Sequence, residues 1–225
     1  MRELTFTIYE AGGSRAATIP IRATVIAGWT GRDAEALEKH IRELEELGVA
    51  RPASTPIYYR VASTRLTSEP EIEVSGGESS GEIEFLLVRH DGRLYVGVGS
   101  DHTDRQAETY GVTLSKQMCE KPIAAELWPF DEVKDHWDEL TLQSWVEGGG
   151  VYQQGSVTAM REPMDLIGRY AGEAGLADGT LMFCGTLAAI GGIRPSPSFT
   201  FELSDPVLGR SIRHSYRMIE LPVLG

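Results

Sequence analysis

Alternation of apolar and polar residues predicts β-strands along most of the chain. Near the start, this pattern predicts strands over residues 4–9, 17–21 and 24–27, with a glycine-containing turn at residues 11–14. Further strands are predicted over 181–184, 199–203 and 211–221, and a hairpin joins 141–147 to 151–155 through three consecutive glycines. The chain is therefore predicted to be rich in short strands.

Helical periodicity is confined to a few stretches. The first, over residues 33–47, carries the apolar stripe Leu37, Ile41, Leu44 and Leu47 and stops at a glycine, and Thr30 and Asp33 have capping-box spacing. A second helix is predicted from Pro163 to Gly175, and a short one over 131–140. Residues 106–125 show no clear period beyond a helical turn. Many strands, few helices and 25 glycines predict an α+β, mostly β, fold.

Composition excludes several classes of partner. The 225 residues carry a formal net charge of −12, which disfavours nucleic acid and anionic membrane surfaces as partners. The N-terminus lacks a signal-peptide pattern and no apolar run is long enough to cross a bilayer. Cys119 and Cys184 are far apart and fit free, buried thiols better than a disulfide or a nucleophile. These features together predict a cytoplasmic protein.

Acidic residues in the middle of the chain suggest a metal site. Residues 81–88 alternate like a strand, so Glu82 and Glu84 share one face, which continues into apolar positions. Two carboxylates about 6–7 Å apart along such a face repel each other unless a cation, a proton or water lies between them. Asp101 follows the next predicted strand. Three carboxylates from neighbouring strands suit Mg²⁺ or Mn²⁺.

Each of these acidic residues also has an ordinary structural interpretation. A Glu-x-Glu pair is common on the solvated face of an edge strand, so the pair alone does not establish a metal site. His102 follows Asp101 directly, and because neighbouring strand residues point to opposite faces, it is not expected to share the same ligand set.

The order of motifs along the chain resembles that of the fumarylacetoacetate hydrolase superfamily. The landmarks are a helix carrying His40 and Glu43, an extended Pro-Ile-Tyr-Tyr-Arg segment, Glu82-x-Glu84, an Asp-x-x-x-Arg string, Tyr-Gln-Gln-Gly and Gly-Thr. Each motif is weak alone, but they are collinear over about residues 25–221. The resemblance points to a bacterial branch and implies a mixed β-roll of curved sheets with a few flanking helices. It also implies one domain over 1–225, with 1–28 as an N-terminal β arm, and a homodimer.

The resemblance implies roles for individual residues. Glu82, Glu84 and Asp101 would bind the Mg²⁺ or Mn²⁺ cofactor, His40 with Glu43 would activate a water molecule, and Lys116 would help the metal to stabilise the leaving enolate. The residues implied to contact a small carboxylic acid substrate are Arg60, Arg105, Gln153 and Thr186. Arg60 stands where relatives often carry lysine, and Leu187 replaces the proline that usually follows Gly-Thr.

The implied activity is hydrolysis of a carbon–carbon bond in a small 2-oxo or β-diketo acid of the acylpyruvate kind. The alternatives are decarboxylation or keto–enol tautomerisation at the same metal, and a non-catalytic protein that binds a small acid or a cation. From residue chemistry alone, His40 is also explained as a packing residue beside the apolar stripe, and Glu43 as a solvated charge. Lys116 and Arg105 equally suit electrostatic partners of the acidic cluster.

Overall fold

The computed structural model describes residues 1–46, 51–148 and 150–224. Strands dominate this part of the chain. They are, in order, β1 (Arg2–Glu10), β2 (Gly13–Ile21), β3 (Ala23–Gly28), β4 (Ile57–Val61), β5 (Leu66–Thr67), β6 (Glu71–Ser75), β7 (Ser79–Ser80), β8 (Ile83–His90), β9 (Arg93–Ser100), β10 (Thr103–Asp104), β11 (Lys121–Pro122), β12 (Glu126–Pro129), β13 (Thr141–Val146), β14 (Val151–Ser156), β15 (Thr180–Thr186), β16 (Ser198–Asp205) and β17 (Arg210–Leu221).

The strands form two main sheets and two short ribbons. The larger sheet has eight strands in the order β2-β1-β12-β9-β8-β15-β3-β4, and the smaller has five in the order β14-β13-β16-β17-β6. The ribbons pair β7 with β10 and β5 with β11. The α+β, mostly β, architecture predicted from the sequence is confirmed.

Strand β8 is central because both of its faces are buried. Ile83, Phe85 and Leu87 belong to a core shared with residues of the five-stranded sheet, whereas Leu86 and Val88 pack into a second core. The period of two in the sequence therefore separates two cores on opposite faces of one strand. Glu84 lies on the same face as Leu86, so its carboxyl is carried into the protein interior.

Residues 1–28 are continuous with the large sheet. β1 pairs with β2 along its full length and with β12 on its other side, and β3 lies between β15 and β4. Phe6, Ile8 and Ile19 are buried in the second core. The predicted strands of this region are present, and the β1–β2 hairpin extends the edge of the sheet.

The described helices are α1 (Ala34–Glu46), α2 (Arg105–Glu108), α3 (Val112–Met118) and α4 (Pro163–Ala171). None of them is long and apolar enough to cross a membrane. The helix predicted over 33–47 is present up to residue 46, and Leu47 and the glycine after it lie outside the described residues. Its cap is Asp33, whose Oδ1 accepts hydrogen bonds from the backbone N–H groups of Glu35 and Ala36, so the capping box predicted with Thr30 was wrong.

Two other sequence predictions need correction. Residues 106–125, predicted to be mostly irregular, include most of α2 and all of α3. The helix predicted over 131–140 is instead a pair of 3₁₀ segments, Phe130–Glu132 and Lys134–Glu139. The second segment is interrupted at His136, whose backbone is not helical. Elements this short have too few residues to show a period in the sequence.

Candidate metal centre

Strands β8 and β9 bring three carboxylates together. Glu84 lies in β8 opposite Gly99, Glu82 immediately precedes β8, and Asp101 immediately follows β9. The Asp101 N–H donates to the Glu82 carbonyl at 2.9 Å, which fixes the two strand ends side by side. One carboxylate oxygen from each of the three residues lies within 4.8 Å of the other two. Opposite ligands of a Mg²⁺ ion are about 4.2 Å apart, so small side-chain rotations would let all three share one cation.

Glu84 is buried where a negative charge is unfavourable. Its side chain is 2% exposed, and its Oε2 accepts a hydrogen bond of 2.7 Å from the Gly185 N–H. Burial, and then the nearby Asp101 charge, raise the pKa of the Glu84 carboxyl well above its usual value. Ionised Glu84 therefore requires a cation beside it. A buried set of hard carboxylate oxygens with this requirement fits a divalent ion such as Mg²⁺ or Mn²⁺.

Asp101 lies between two lysines. Lys116 forms an ion pair with its Oδ2, and Lys121 Nζ lies 3.0 Å from its Oδ1. Burial alone would raise the pKa of the Asp101 carboxyl, but the two ammonium groups outweigh burial and lower it. Asp101 is therefore a carboxylate, ready to act as a ligand.

Lys121 was not identified from the sequence. It is fully buried on the ribbon strand β11, and its Nζ also donates to the His102 carbonyl. A single lysine between Glu120 and Pro122 has no sequence feature that distinguishes it from a surface charge. Two pairings bring it behind Asp101: that of β11 with the distant β5, and the antiparallel bridge between Gly99 and Ile123.

Arg105 links Glu82 to the first turn of α2. Its Nη2 lies 3.0 Å from Glu82 Oε1, its Nη1 lies 3.0 Å from Glu108 Oε2, and its Nε donates to Ser80 Oγ at 2.7 Å. Lys116 Nζ is 3.8 Å from the other oxygen of Glu82. The cations predicted near the acidic cluster are thus both bound to it.

The Gly185-Thr186 step closes the site on the β15 side. Gly185 has φ of 98°, and a Cβ at this position would lie 1.8 Å from Thr30 Oγ1. Only glycine satisfies both conditions. Thr186 Oγ1 donates to the Ile83 carbonyl at 2.7 Å, and Thr186 faces the cavity described below.

Gln153 supports this wall from behind. Its Oε1 accepts from the Ile83 N–H at 3.0 Å, and its Nε2 donates to Thr186 Oγ1 and to the Leu187 carbonyl. The side chain is 1% exposed and does not line the cavity. Gln153 therefore links the start of β8 to the end of β15 through hydrogen bonds.

A cavity of about 940 Å³ opens beside the carboxylates. Its lining includes five residues of the predicted site, namely Glu82, Glu84, Arg105, Lys116 and Thr186. Asp101 is completely buried behind the lining. Arg60 is on the other face of β4 from the cavity-lining Tyr59, with its Nη1 3.5 Å from Tyr170 Oη.

Helix α1 borders this cavity through Leu37. The positions of His40 and Glu43 lie in the same helix, but their side chains fall outside the described residues. The predicted role of His40 as a general base, with Glu43 as its carboxylate partner, therefore stays a prediction.

His102 and the cysteines match the interpretation from sequence. His102 hydrogen-bonds to Tyr216 Oη and Ser79 Oγ, away from the carboxylates, and burial followed by the Lys121 charge lowers its pKa to about 3. Both cysteines are free and buried. Burial raises the pKa of Cys119 to about 11 and that of Cys184 well above its usual value, so both remain thiols.

Comparison with solved structures identifies the fold. A candidate fumarylacetoacetate isomerase/hydrolase from Oleispira antarctica matches with a TM-score of 0.66 at 19% identity, covering 97% of this chain and 100% of that one. Yeast ynq8, a fumarylacetoacetate hydrolase family protein, matches with a TM-score of 0.65 at 17% identity, covering 91% and 96%. A 5-carboxymethyl-2-hydroxymuconate delta-isomerase from Mycobacterium smegmatis gives 0.63 at 16%, covering 94% and 86%. The fold is that of the fumarylacetoacetate hydrolase superfamily, as the motif order predicted.

Sequence comparison places the chain in a narrower group. Residues 27–216 match the family model described as protein of unknown function (DUF2848), so the chain belongs to that family. A search of curated proteins found no significant match.

Proposed function

We propose that this protein is a Mg²⁺- or Mn²⁺-dependent hydrolase that cleaves a carbon–carbon bond in a small 2-oxo or β-diketo acid, such as an acylpyruvate. The observation that carries the proposal is the convergence of Glu82, Glu84 and Asp101 beside a cavity large enough for such a substrate, with Glu82 and Glu84 in its lining. These three side chains would hold the metal. When bound, the metal supplies a Lewis acid and a template for the oxo and carboxylate oxygens of the substrate.

The protonation state of Lys116 determines its role in the reaction. Burial would lower the pKa of its ammonium group, but Asp101, Glu82 and Glu84 outweigh burial and raise it. Lys116 therefore stays protonated and serves as a hydrogen-bond donor, not as a base. At the cavity wall it is suited to stabilise negative charge on the enolate oxygen of the leaving fragment.

A base is then needed to activate water, and we assign this role to His40 with Glu43. The reaction consumes one water molecule. His40 would take its proton as the oxygen adds to the acyl carbonyl. The carbon–carbon bond then breaks, its electron pair passes to the enolate of pyruvate, and protonation of that carbon completes the products. Cys119 and Cys184 are unsuited to nucleophilic attack because both remain thiols.

Tautomerisation or decarboxylation at the same site is the second candidate. One structural neighbour is described as a delta-isomerase, which requires no hydrolytic water. Hydrolysis requires a base that acts on water, whereas tautomerisation and decarboxylation do not. His40→Ala should lower hydrolysis by roughly 100- to 10,000-fold and leave metal affinity nearly unchanged if His40 is that base. Full hydrolysis by this variant would favour the second candidate.

The test of the proposal is a substrate screen. Acylpyruvates, oxaloacetate and β-diketo acids are incubated with the protein and Mg²⁺ or Mn²⁺, and loss of enol absorbance is followed together with pyruvate release. We expect equimolar pyruvate and carboxylic acid from an acylpyruvate, and none after chelation of the metal. Enol loss without pyruvate would indicate tautomerisation, and CO₂ release from oxaloacetate would indicate decarboxylation.

We propose that the protein acts as a homodimer in the cytoplasm. Light scattering on the purified protein at micromolar concentration gives the mass directly, and a monomer at every concentration tested would contradict the dimer.

A further inference from the structure

The cavity beside the carboxylates has an uneven distribution of charge. The charged side chains among its described lining residues are Glu82, Glu84, Arg105, Glu108 and Lys116. Arg105 forms ion pairs with Glu82 and Glu108, and Lys116 forms an ion pair with Glu82. Glu84 lies close to Glu82. All these charges therefore form one contiguous cluster.

The remaining wall is built largely from apolar and aromatic side chains. It includes Leu37 from α1, Tyr59 from β4 and the residues Trp29, Val112, Met160 and Ile193. Tyr59 joins this wall to the charged cluster, because Lys116 Nζ lies 5.9 Å from the centre of its ring. No lysine or arginine outside the cluster lines the cavity among the described residues.

Two neighbouring positions, Gly28 and Trp29, have backbone features that bear on this aromatic wall. A Cβ at Gly28 would lie 3.1 Å from Cε2 of Tyr59, so glycine lets the tyrosine ring lie close to the backbone. Trp29 has φ of 56°, a conformation that is unfavourable for a bulky residue. Burial raises the pKa of the Tyr59 hydroxyl, although Lys116 acts against it, so the phenol stays neutral.

The two cations of the cluster already have carboxylate partners. Arg105 bridges Glu82 and Glu108, and Lys116 bridges Asp101 and Glu82. A substrate carboxylate bound at the metal end can share these charges. A second carboxylate, several carbons away, would instead lie against the apolar and aromatic side chains of the described lining, and would lose hydration without gaining a partner among them.

We propose that this cavity selects monocarboxylate 2-oxo acids with an apolar or aromatic tail, and discriminates against dicarboxylates of the same length. The proposal rests on the proposed function, since it places the oxo-acid head at the metal. Trp29, Tyr59 and Met160 are the residues that determine this specificity, and Ile193, which is 59% exposed, forms part of the wall that solvent reaches.

A matched pair of ligands tests the selectivity by binding alone. 2-Oxohexanoate and 2-oxoadipate share one carbon chain and differ only in a terminal methyl or carboxylate. Isothermal titration of the Mg²⁺-loaded protein should give at least a tenfold lower Kd for 2-oxohexanoate, about 1.4 kcal/mol. Equal or tighter binding of 2-oxoadipate would overturn the inference.

A pair of variants tests whether the missing cation is the cause. Ile193→Arg adds a cation to the cavity wall and should tighten 2-oxoadipate relative to 2-oxohexanoate by about tenfold. Ile190→Arg is the control, because Ile190 is similarly exposed at 52% but does not line the cavity, and it should leave the ratio unchanged. The same shift in both variants would show that the cavity wall does not set the preference and would contradict the inference.

Binding also separates this inference from the proposed function. Preference for 2-oxohexanoate without turnover of any acylpyruvate supports the inference and contradicts the hydrolase. Turnover accompanied by preference for dicarboxylates supports the hydrolase and contradicts the inference. Failure of both acids to bind at millimolar concentration overturns the inference, and the acylpyruvate screen then decides separately whether the protein is a hydrolase.

Discussion

Replacement of Lys121 by methionine tests the electrostatic design of the site. Lys121 is fully buried, its Nζ is 3.0 Å from Asp101 Oδ1, and it also donates to the His102 carbonyl. Lys121→Met keeps the length of the side chain but removes its charge and its donors. Asp101 would retain only Lys116, and the His102 carbonyl would lose its lysine donor.

The expected loss of stability is large for a single lysine. Breaking a buried ion pair by removing one partner costs about 3–5 kcal/mol, and the remaining Lys116 places this case near the lower value of about 3 kcal/mol. For a chain of this size, 1 kcal/mol corresponds to roughly 2–4 °C, so the thermal midpoint should fall by about 6–12 °C. Saturating Mg²⁺ should reduce the difference, because a cation at the site also neutralises Asp101.

Lys134→Met is the matched control for this experiment. Lys134 pairs with Asp131 on the surface, where ion pairs contribute little, so its midpoint should stay close to that of the wild type. Both variants and the wild type are compared by thermal melts with and without Mg²⁺. If Lys121→Met melts together with Lys134→Met, the buried pair does not stabilise Asp101 and the electrostatic account of the site is wrong.

Three further predictions follow from other contacts. Gly185→Ala should lower stability by at least about 1–3 kcal/mol and weaken Mg²⁺ binding, since its Cβ would meet Thr30; an unchanged melt contradicts this. Gln153→Leu should cost at least about 2 kcal/mol in urea unfolding, because its buried partners lose their hydrogen bonds; a cost near zero would mean they find others. Burial alone would raise the pKa of the Asp205 carboxyl, but its hydrogen bonds outweigh burial and lower it. Asp205→Asn should therefore be less stable than the wild type at pH 7, and this difference in stability should vanish as the pH falls below about 3.9 toward the lowered pKa. A difference in stability that does not change with pH would exclude this charge effect.

The acidic site could be predicted from sequence because strand alternation is local. The period of two across β8 places Glu82 and Glu84 on one face, and the strand after it delivers Asp101 to the same end. The predicted convergence of the three carboxylates is present in the structure. Lys121 was missed because its burial depends on contacts between segments that are distant in sequence, namely the pairing of β11 with β5 and the bridge between Gly99 and Ile123.

Short helices were also beyond the reach of periodicity. Helix α2 has four residues and depends on Asp104, whose carboxylate accepts a hydrogen bond of 2.7 Å from the Ala107 N–H. A single capping contact sets its start, and one turn is too short to display an apolar stripe. The apolar and aromatic wall of the cavity was missed for a similar reason, since Trp29, Tyr59 and Met160 are far apart in sequence and come together at the cavity only in the folded chain.

Metal binding by Glu84 is the most direct test of the central claim. Isothermal titration of Mg²⁺ or Mn²⁺ into the metal-free protein should give one ion per chain, and Glu84→Gln should abolish binding while keeping the shape of the side chain. Glu73→Gln, an exposed glutamate on β6, is the control and should bind as the wild type does. Binding by Glu84→Gln as tight as that of the control, or no binding by the wild type, would contradict the assignment of Glu82, Glu84 and Asp101 as the metal site.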